Sequence, residues 1–336
     1  MGAFAFFSSW FQPAISALSP SSHLSLQIRS RLLLLQTFVL LTYTPKYIYW
    51  LAHRLRHRDH KVVYIPTRSG HEVRTLVFGL RSHVLPGDPL RPLHLDIHGG
   101  AFLGGIAEYD APLCAHLAAK TGAVVLSTDY RVPPAHPFPA AIEDVEDTIL
   151  WLHAHARARL GADPGRLTVS GASAGGTLAF AAATKFHGTD RAMRRVVTLF
   201  APVDLQVPPW EKRKPAGFPK FDVSLPLQPL FDLYASEARK SGYAKSPRLS
   251  PILADPSTLP DEVLMIVPTM DILLDEQLAF AERLRECEGK KVEVRLFEGQ
   301  LHAFIDLPSF MIGATTRQEA FDAVASFVRE ERLDGM

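Results

Sequence analysis

Three residues far apart in the chain, Ser173, Asp271 and His302, are of the types that together cleave acyl bonds. A serine hydroxyl is a weak nucleophile at neutral pH. It needs a base within hydrogen-bond reach, and the base needs a group that fixes its tautomer. Ser173 lies in Gly171-Ala172-Ser173-Ala174-Gly175, a G-x-S-x-G pattern. A turn of this kind between a strand and a helix is so tight that side chains beside the serine would clash. Flanking glycines relieve the clash and leave the hydroxyl exposed. The context fits, with the strand-like Leu167-Thr-Val-Ser170 before it and an Ala-rich helical stretch, 174–186, after it. Five small residues alone could equally be an inert turn; the flanks give the pattern its weight.

The acid and the base follow in the order that such a turn demands, each on a loop after a strand. Asp271 follows the strand-like run 263–267, and His302 follows 292–297. Both therefore fall at C-terminal strand ends, where open parallel sheets place their sites. The chain has 14 histidines, and His302 stands out among them by order and position. Asp275 is the rival to Asp271, but an acid there also suits the first turn of the next helix. His98-Gly99-Gly100-Ala101 directly follows another strand, 93–97. A glycine pair lets backbone approach the oxyanion that forms in acyl transfer. The amides of Gly99, Gly100 and Ala174 are the expected donors. The alternative for His-Gly-Gly is an ordinary turn.

The elements that must hold these residues can be read from periodicity. Runs 61–65 and 72–80, joined across Arg68-Ser-Gly70, predict a hairpin. Short apolar runs at 93–97, 123–127, 167–170, 195–200, 263–267 and 292–297 then alternate with helical patterns at 111–120, 140–159, 174–186, 275–287 and 316–332. Strand and helix in alternation predict an α/β protein, a mainly parallel sheet with helices on both faces. The alternation lapses over about 204–250, a Pro-rich stretch that reads as an insertion. We divide the chain into an N-terminal segment, 1–60, and a core, 61–336, that carries this insertion.

The N-terminal segment admits two readings. Leu32 to Leu51 is apolar, interrupted by Pro45 and Lys46, and flanked by Arg29 and Arg31 and by Arg54, Arg56 and Arg58. Its unbroken apolar part is about half of the ~20 residues that a spanning helix needs. That favours a cap helix over the site, with a membrane-surface anchor as the alternative. No basic residue opens the chain as in a secretory signal, and Phe6 stands where a myristoylation signal has Ser or Thr. Phe7, Trp10, Phe11, Trp210, Phe218, Phe221 and Phe231 in the two segments fit helix packing or an apolar substrate.

Composition narrows the rest. With 47% apolar and 21% charged residues, the 336-residue chain can bury a large core. A net charge of +1 gives no electrostatic case for nucleic acid. Cys114 and Cys287, far apart and without metal-ligand spacing, predict neither a disulfide framework nor a metal site, and suit a reducing compartment. The expected compartment is the cytoplasm, with association to a membrane surface left open. A homodimer is also left open.

These motifs together resemble the hormone-sensitive-lipase-like branch of the α/β-hydrolases. His98-Gly-Gly-Ala-Phe102 is similar to that family's His-Gly-Gly-Gly motif. Asp129-Tyr-Arg-Val-Pro-Pro-Ala-His-Pro-Phe-Pro-Ala-Ala141 is similar to its Asp-Tyr-Arg-Leu-Ala-Pro-Glu-His-Pro-Phe-Pro-Ala-Ala block. Gly171-Ala-Ser-Ala-Gly-Gly176 resembles its Gly-Asp-Ser-Ala-Gly-Gly elbow. Asp271-Ile-Leu-Leu-Asp-Glu276 and His302-Ala-Phe304 resemble its acid and histidine motifs. The likeness runs in order over roughly 61–335. It implies an α/β-hydrolase fold with a cap built partly from the N-terminal segment, and a carboxylic-ester hydrolase acting on a small to medium apolar ester without metal or organic cofactor. Departures are Ala101 for the third glycine, Ala172 for the acid beside the serine, and no Glu before His136. They leave the triad intact and bear on substrate preference and loop packing. Asp129 and Arg131 are expected to form a charge-assisted pair that fixes their loop. His98 and His136 are expected to be scaffold. Two other readings stay open: acyl transfer from the same acyl-enzyme, and a non-catalytic ligand receptor of the same fold.

Overall fold

Each strand expected from the apolar runs is present, and all eight join one sheet. They are β1 (His60–Pro66), β2 (Glu72–Phe78), β3 (Arg91–Ile97), β4 (Val124–Thr128), β5 (Ala162–Ala172), β6 (Arg195–Leu199), β7 (Glu262–Met270) and β8 (Lys291–Leu301), in the spatial order β1-β2-β4-β3-β5-β6-β7-β8. The structure is a computed structural model that describes residues 10–20, 24–57, 60–80, 87–220, 225–307, 309–313 and 315–329. Phe7, Phe221, Arg58 and the end of the expected terminal helix lie outside the described residues. β2 is antiparallel to both β1 and β4; β4-β3-β5-β6-β7-β8 is a parallel run. The β1–β2 hairpin closes as its sequence predicts. The Gly70 amide donates to the Thr67 carbonyl at 3.0 Å, and Gly70 takes φ +82°.

The helices are α1 (Gln12–Leu18), α2 (Leu26–His57), α3 (Ala111–Thr121), α4 (Ala140–Leu160), α5 (Ala174–Phe186), α6 (Gln228–Phe231), α7 (Leu233–Lys240), α8 (Leu274–Arg285), α9 (Ser309–Ile312) and α10 (Thr316–Val328). Side chains alternate across a strand, so each central strand feeds two cores. On β7, Val263, Met265 and Val267 pack with α4, α5 and α8. Leu264 and Ile266 pack on the opposite face with α3 and α10. Gly122 and Gly161, both left-handed, end α3 and α4.

A third, smaller core ties the N-terminal helices to the segment between β6 and β7. Ala17 of α1 and Leu32 of α2 meet Leu227 and Leu230 beside α6, over Leu103 of the loop that follows β3. Helix α2 runs unbroken through Pro45, where the sequence pattern reads an interruption. Among the described residues, no helix is long and apolar enough to cross a membrane. Arg29 links the two helices, donating to the carbonyls of Ala17 (2.7 Å) and Ser19 (3.1 Å).

The expected Asp129–Arg131 pair is not formed. Arg131 binds Asp144 on the first turns of α4, with Nη2 at 2.8 Å from Oδ1 and the backbone amide at 2.9 Å from Oδ2. Asp129 accepts the Ala107 amide at 2.6 Å and faces Arg74 at 3.5 Å. A fork-shaped guanidinium needs a carboxylate facing it, and the first turns of α4 supply one. Asp144 is fully buried. Removing one partner of a buried pair strands the other charge, so Asp144→Ala is expected to lower stability by about 3–5 kcal/mol in denaturant unfolding.

Candidate active site

The chain reverses its direction of travel across the sheet between β3 and β5, and parallel sheets form crevices at such points. Ile97 pairs with Gly171 in the register. The loop after β3 and the turn after β5 therefore start side by side. Ser173 occupies that turn at φ +50°, ψ −120°, an uncommon conformation for a residue with a side chain. Its amide donates to the Leu199 carbonyl at 2.8 Å, which anchors the turn to β6. The turn presses on β3 so closely that a Cβ on Gly175 would lie 1.8 Å from the Ile97 carbonyl oxygen. No residue other than glycine fits there.

Ser173, His302 and Asp271, from three different loops, meet in one hydrogen-bonded line. Ser173 Oγ lies 2.9 Å from His302 Nε2, and His302 Nδ1 lies 2.7 Å from Asp271 Oδ2. A carboxylate can only accept, so Nδ1 carries the ring proton and Nε2 is left to accept from the serine. Asp271 is buried, and its other oxygen accepts the Leu273 amide at 3.0 Å. Burial of His302 disfavours its charge. The Asp271 carboxylate, its hydrogen bond and nearby Asp306 outweigh this and hold the imidazole above its ordinary pKa. The ring stands edge to face on Phe200, centroids 5.1 Å apart. Phe200 itself takes φ +44°. Asp275, the rival acid, lies in the first turn of α8 and pairs with Arg213 at 2.5 Å.

Across from the serine, two carbonyl contacts set the direction of two amides. A trans peptide points each N–H opposite the preceding C=O. The His98 carbonyl accepts the Tyr130 hydroxyl at 2.9 Å, which turns the Gly99 amide the other way. The Gly99 carbonyl is bound by His98 Nδ1 at 2.6 Å, which does the same for the Gly100 amide. A Cβ on Gly99 would come within 3.5 Å of Ser173 Cβ, so this backbone passes directly beside the serine. Ala174 opens α5, where the amides have no partner within the helix. The His98 ring stacks on Tyr130, 4.4 Å between centroids, and its burial pushes its pKa down to about 4. It serves as a neutral strut. His136 is exposed.

Two contributors escape a reading by motif. Tyr130 lies inside the Asp129–Ala141 block, but nothing in the sequence ties its hydroxyl to His98. Glu276, in the first turn of α8, accepts the amides of Val203 (2.9 Å) and Asp204 (3.1 Å) and pairs with Lys212. It thereby ties the start of the segment between β6 and β7 to the helix that follows Asp271. Among the described residues, no group of three or more His, Cys, Asp or Glu is placed to hold a metal ion.

Comparison with known proteins agrees with this geometry. A family model described as the α/β-hydrolase fold matches residues 94–306. Lipase 2 of Moraxella sp. (strain TA144) is 31% identical over 239 residues, 64% of this chain and 55% of the lipase. Carboxylic ester hydrolase LipN of Mycobacterium tuberculosis is 31% identical over 235 residues, 68% of this chain and 60% of LipN. The chain thus spans little more than half the length of these two relatives. A hyperthermophilic esterase from the archaeon Pyrobaculum calidifontis superposes with a TM-score of 0.67 at 29% identity, covering 80% of this chain and 82% of the esterase. With the family model covering the whole span from β3 to the loop after His302, the chain belongs to the α/β-hydrolase family, in its hormone-sensitive-lipase-like branch.

Proposed function

We propose that the protein is a carboxylic-ester hydrolase, with Ser173 as nucleophile, His302 as general base and Asp271 as the acid that holds the base. The unbroken line from Ser173 Oγ through His302 to the buried Asp271 carries this reading. Lipase 2, LipN and the P. calidifontis esterase bear names of the same reaction class. Ser173 Oγ attacks the ester carbonyl while His302 Nε2 takes its proton. The resulting imidazolium is steadied by Asp271. The oxyanion falls to the amides of Gly99, Gly100 and Ala174, and each such donor typically contributes about 3–4 kcal/mol to the transition state. Collapse expels the alcohol, which receives the proton from His302. Water then enters, His302 takes one of its protons as the hydroxyl adds to the acyl carbon, and that proton passes to Ser173 Oγ as the acid leaves. The substrate class we assign is a small to medium apolar ester. The packing of α1, α2 and the 227–233 region over Leu103 supports a cap built from segments 1–60 and 204–250. The two free cysteines, Cys114 and Cys287, support a reducing, cytoplasmic setting.

The reading is tested with p-nitrophenyl esters of short and medium acyl chains. Wild-type protein is expected to turn them over, and Ser173→Ala to lose all but a small residue of that rate while remaining folded. Inertness of folded wild type on every chain length would remove the hydrolase assignment. An added alcohol that diverts product from acid to ester would instead make it an acyltransferase.

The base must be neutral to accept the serine proton, and its pKa is raised. The acid limb of kcat/KM is therefore expected to have its midpoint above 6.5, with activity lost as pH falls through it. Asp271→Asn removes the stabilising charge and leaves the burial. Its midpoint is expected to move down, and kcat to fall by about 10⁴-fold.

Tyr130→Phe removes the donor that turns the Gly99 amide. We expect kcat to drop about tenfold or more with KM little changed, because the oxyanion exists only in the transition state. Equal loss in binding and turnover would point to a merely structural tyrosine.

A further inference from the structure

Helix α2 is apolar on two opposite sides, and the protein occupies only one of them. At 100° per residue, Leu32 and Leu35 fall on one side, and they pack into the core over Leu103. Leu26, Leu33, Leu34, Leu41 and Ile48 fall within an arc of roughly 100° on the other side. Their exposure is 86%, 41%, 48%, 73% and 61%. Leu18 at the end of α1 adds to the same end of the molecule at 69%. Ser30 and Thr37 lie in the same arc, but five large apolar side chains exposed together on one side of a helix mark an interaction site.

Charge selects the occupant. Residues 1–58 contain six Lys and Arg, namely Arg29, Arg31, Lys46, Arg54, Arg56 and Arg58, and no Asp or Glu. The remaining 278 residues carry 30 basic and 35 acidic side chains. The segment is therefore strongly cationic on a body that is net anionic. Two copies meeting through this face would bring like charge against like. An anionic bilayer offers both an apolar interior for the leucines and phosphate for the cations. No described helix is suited to cross the membrane, so the contact is one that lies along the surface.

We infer that α1 and α2 form a docking face for anionic lipid, with the exposed leucine row of α2 entering the headgroup–acyl boundary. The buried side of the same helix rests on the loop beside Ser173, so docking brings the site up to the lipid surface. Docking in this sense is independent of catalysis, and it is read by binding alone.

The full chain is mixed with sucrose-loaded vesicles of phosphatidylcholine, with or without phosphatidylserine, and sedimented. Wild type is expected to bind the phosphatidylserine vesicles about tenfold or more tightly than the neutral ones, and to be released by high salt. A combined Leu26→Glu, Leu34→Glu and Leu41→Glu variant is expected to stay in the supernatant with an unchanged circular dichroism spectrum and melting temperature, since its replaced side chains face solvent. A second variant, Arg54→Glu with Arg56→Glu, is expected to lose the preference for phosphatidylserine. Wild type that remains in the supernatant, equal binding to both vesicles, or undiminished binding by the leucine variant would each overturn the inference. So would a wild-type dimer that the leucine variant dissociates without any vesicle binding, which would assign the face to a second copy.

Discussion

Backbone meets backbone where the turn after β5 presses against the end of β3, and the rest of the site hangs from that contact. The hydrogen of Gly175 is all that fits against the Ile97 carbonyl. This approach forces the turn to be sharp, and sharpness puts Ser173 in its strained conformation with the hydroxyl projecting from the sheet. It also fixes how far the Gly99 backbone can stand from the serine, because that backbone continues directly from Ile97. A wider turn would relax the serine and move the amides away in one step. The strain is held by secondary structure on both sides: the Ser173 amide is bonded to β6, and its carbonyl accepts the Gly176 amide at 2.9 Å as α5 begins.

Electrostatics around the site follow a similar economy. Asp271 is withdrawn from solvent, where a bare carboxylate would be costly, but both of its oxygens are satisfied. Its charge is then available to His302 with little screening. His98, stacked on Tyr130 and bonded to the Gly99 carbonyl, is kept neutral by burial. Two imidazoles thus sit near one serine in opposite states of readiness. The one hydrogen-bonded to a carboxylate can take a proton, and the one that approaches Asp129 only to 3.8 Å donates a fixed hydrogen bond to backbone.

What the sequence disclosed and what it concealed divide along a physical line. Ser173, Asp271 and His302 were legible because a parallel sheet obliges each to follow a strand, and strand period is written locally. Gly171 and Gly175 were legible because a steric requirement leaves one residue type. The partner of Arg131 was not, because Asp144 reaches it only once α4 has packed, and the nearer acid in sequence faces Arg74 instead. The hydroxyl of Tyr130 was hidden for the same reason: its acceptor is a backbone carbonyl 32 residues away. Pro45 and Lys46 interrupt the apolar run in the sequence, yet α2 continues through them. The lower part of β5, 162–166, was missed because Asp163-Pro164-Gly165 reads as a turn although it lies within the strand.

The loop after Gly100 shows why the N-terminal helices matter to a site to which they give none of the three aligned residues. Ala101 and Phe102 take φ +54° and +60°, a conformation that costs an ordinary residue about 1–2 kcal/mol. Where the family pattern has glycine, Ala101 bears that cost directly. A free loop would relax out of it and carry the Gly99 and Gly100 amides with it. Phe102 is held by stacking on Tyr234 of α7, centroids 4.1 Å apart, and Leu103 is buried under α1, α2 and α6. Pro13 of α1 closes on Gly104 in turn. Packing from the helices therefore sustains a loop geometry that its own residues disfavour. A change in how α1 and α2 sit would be felt first in the direction of two backbone amides, before it reached Ser173, His302 or Asp271.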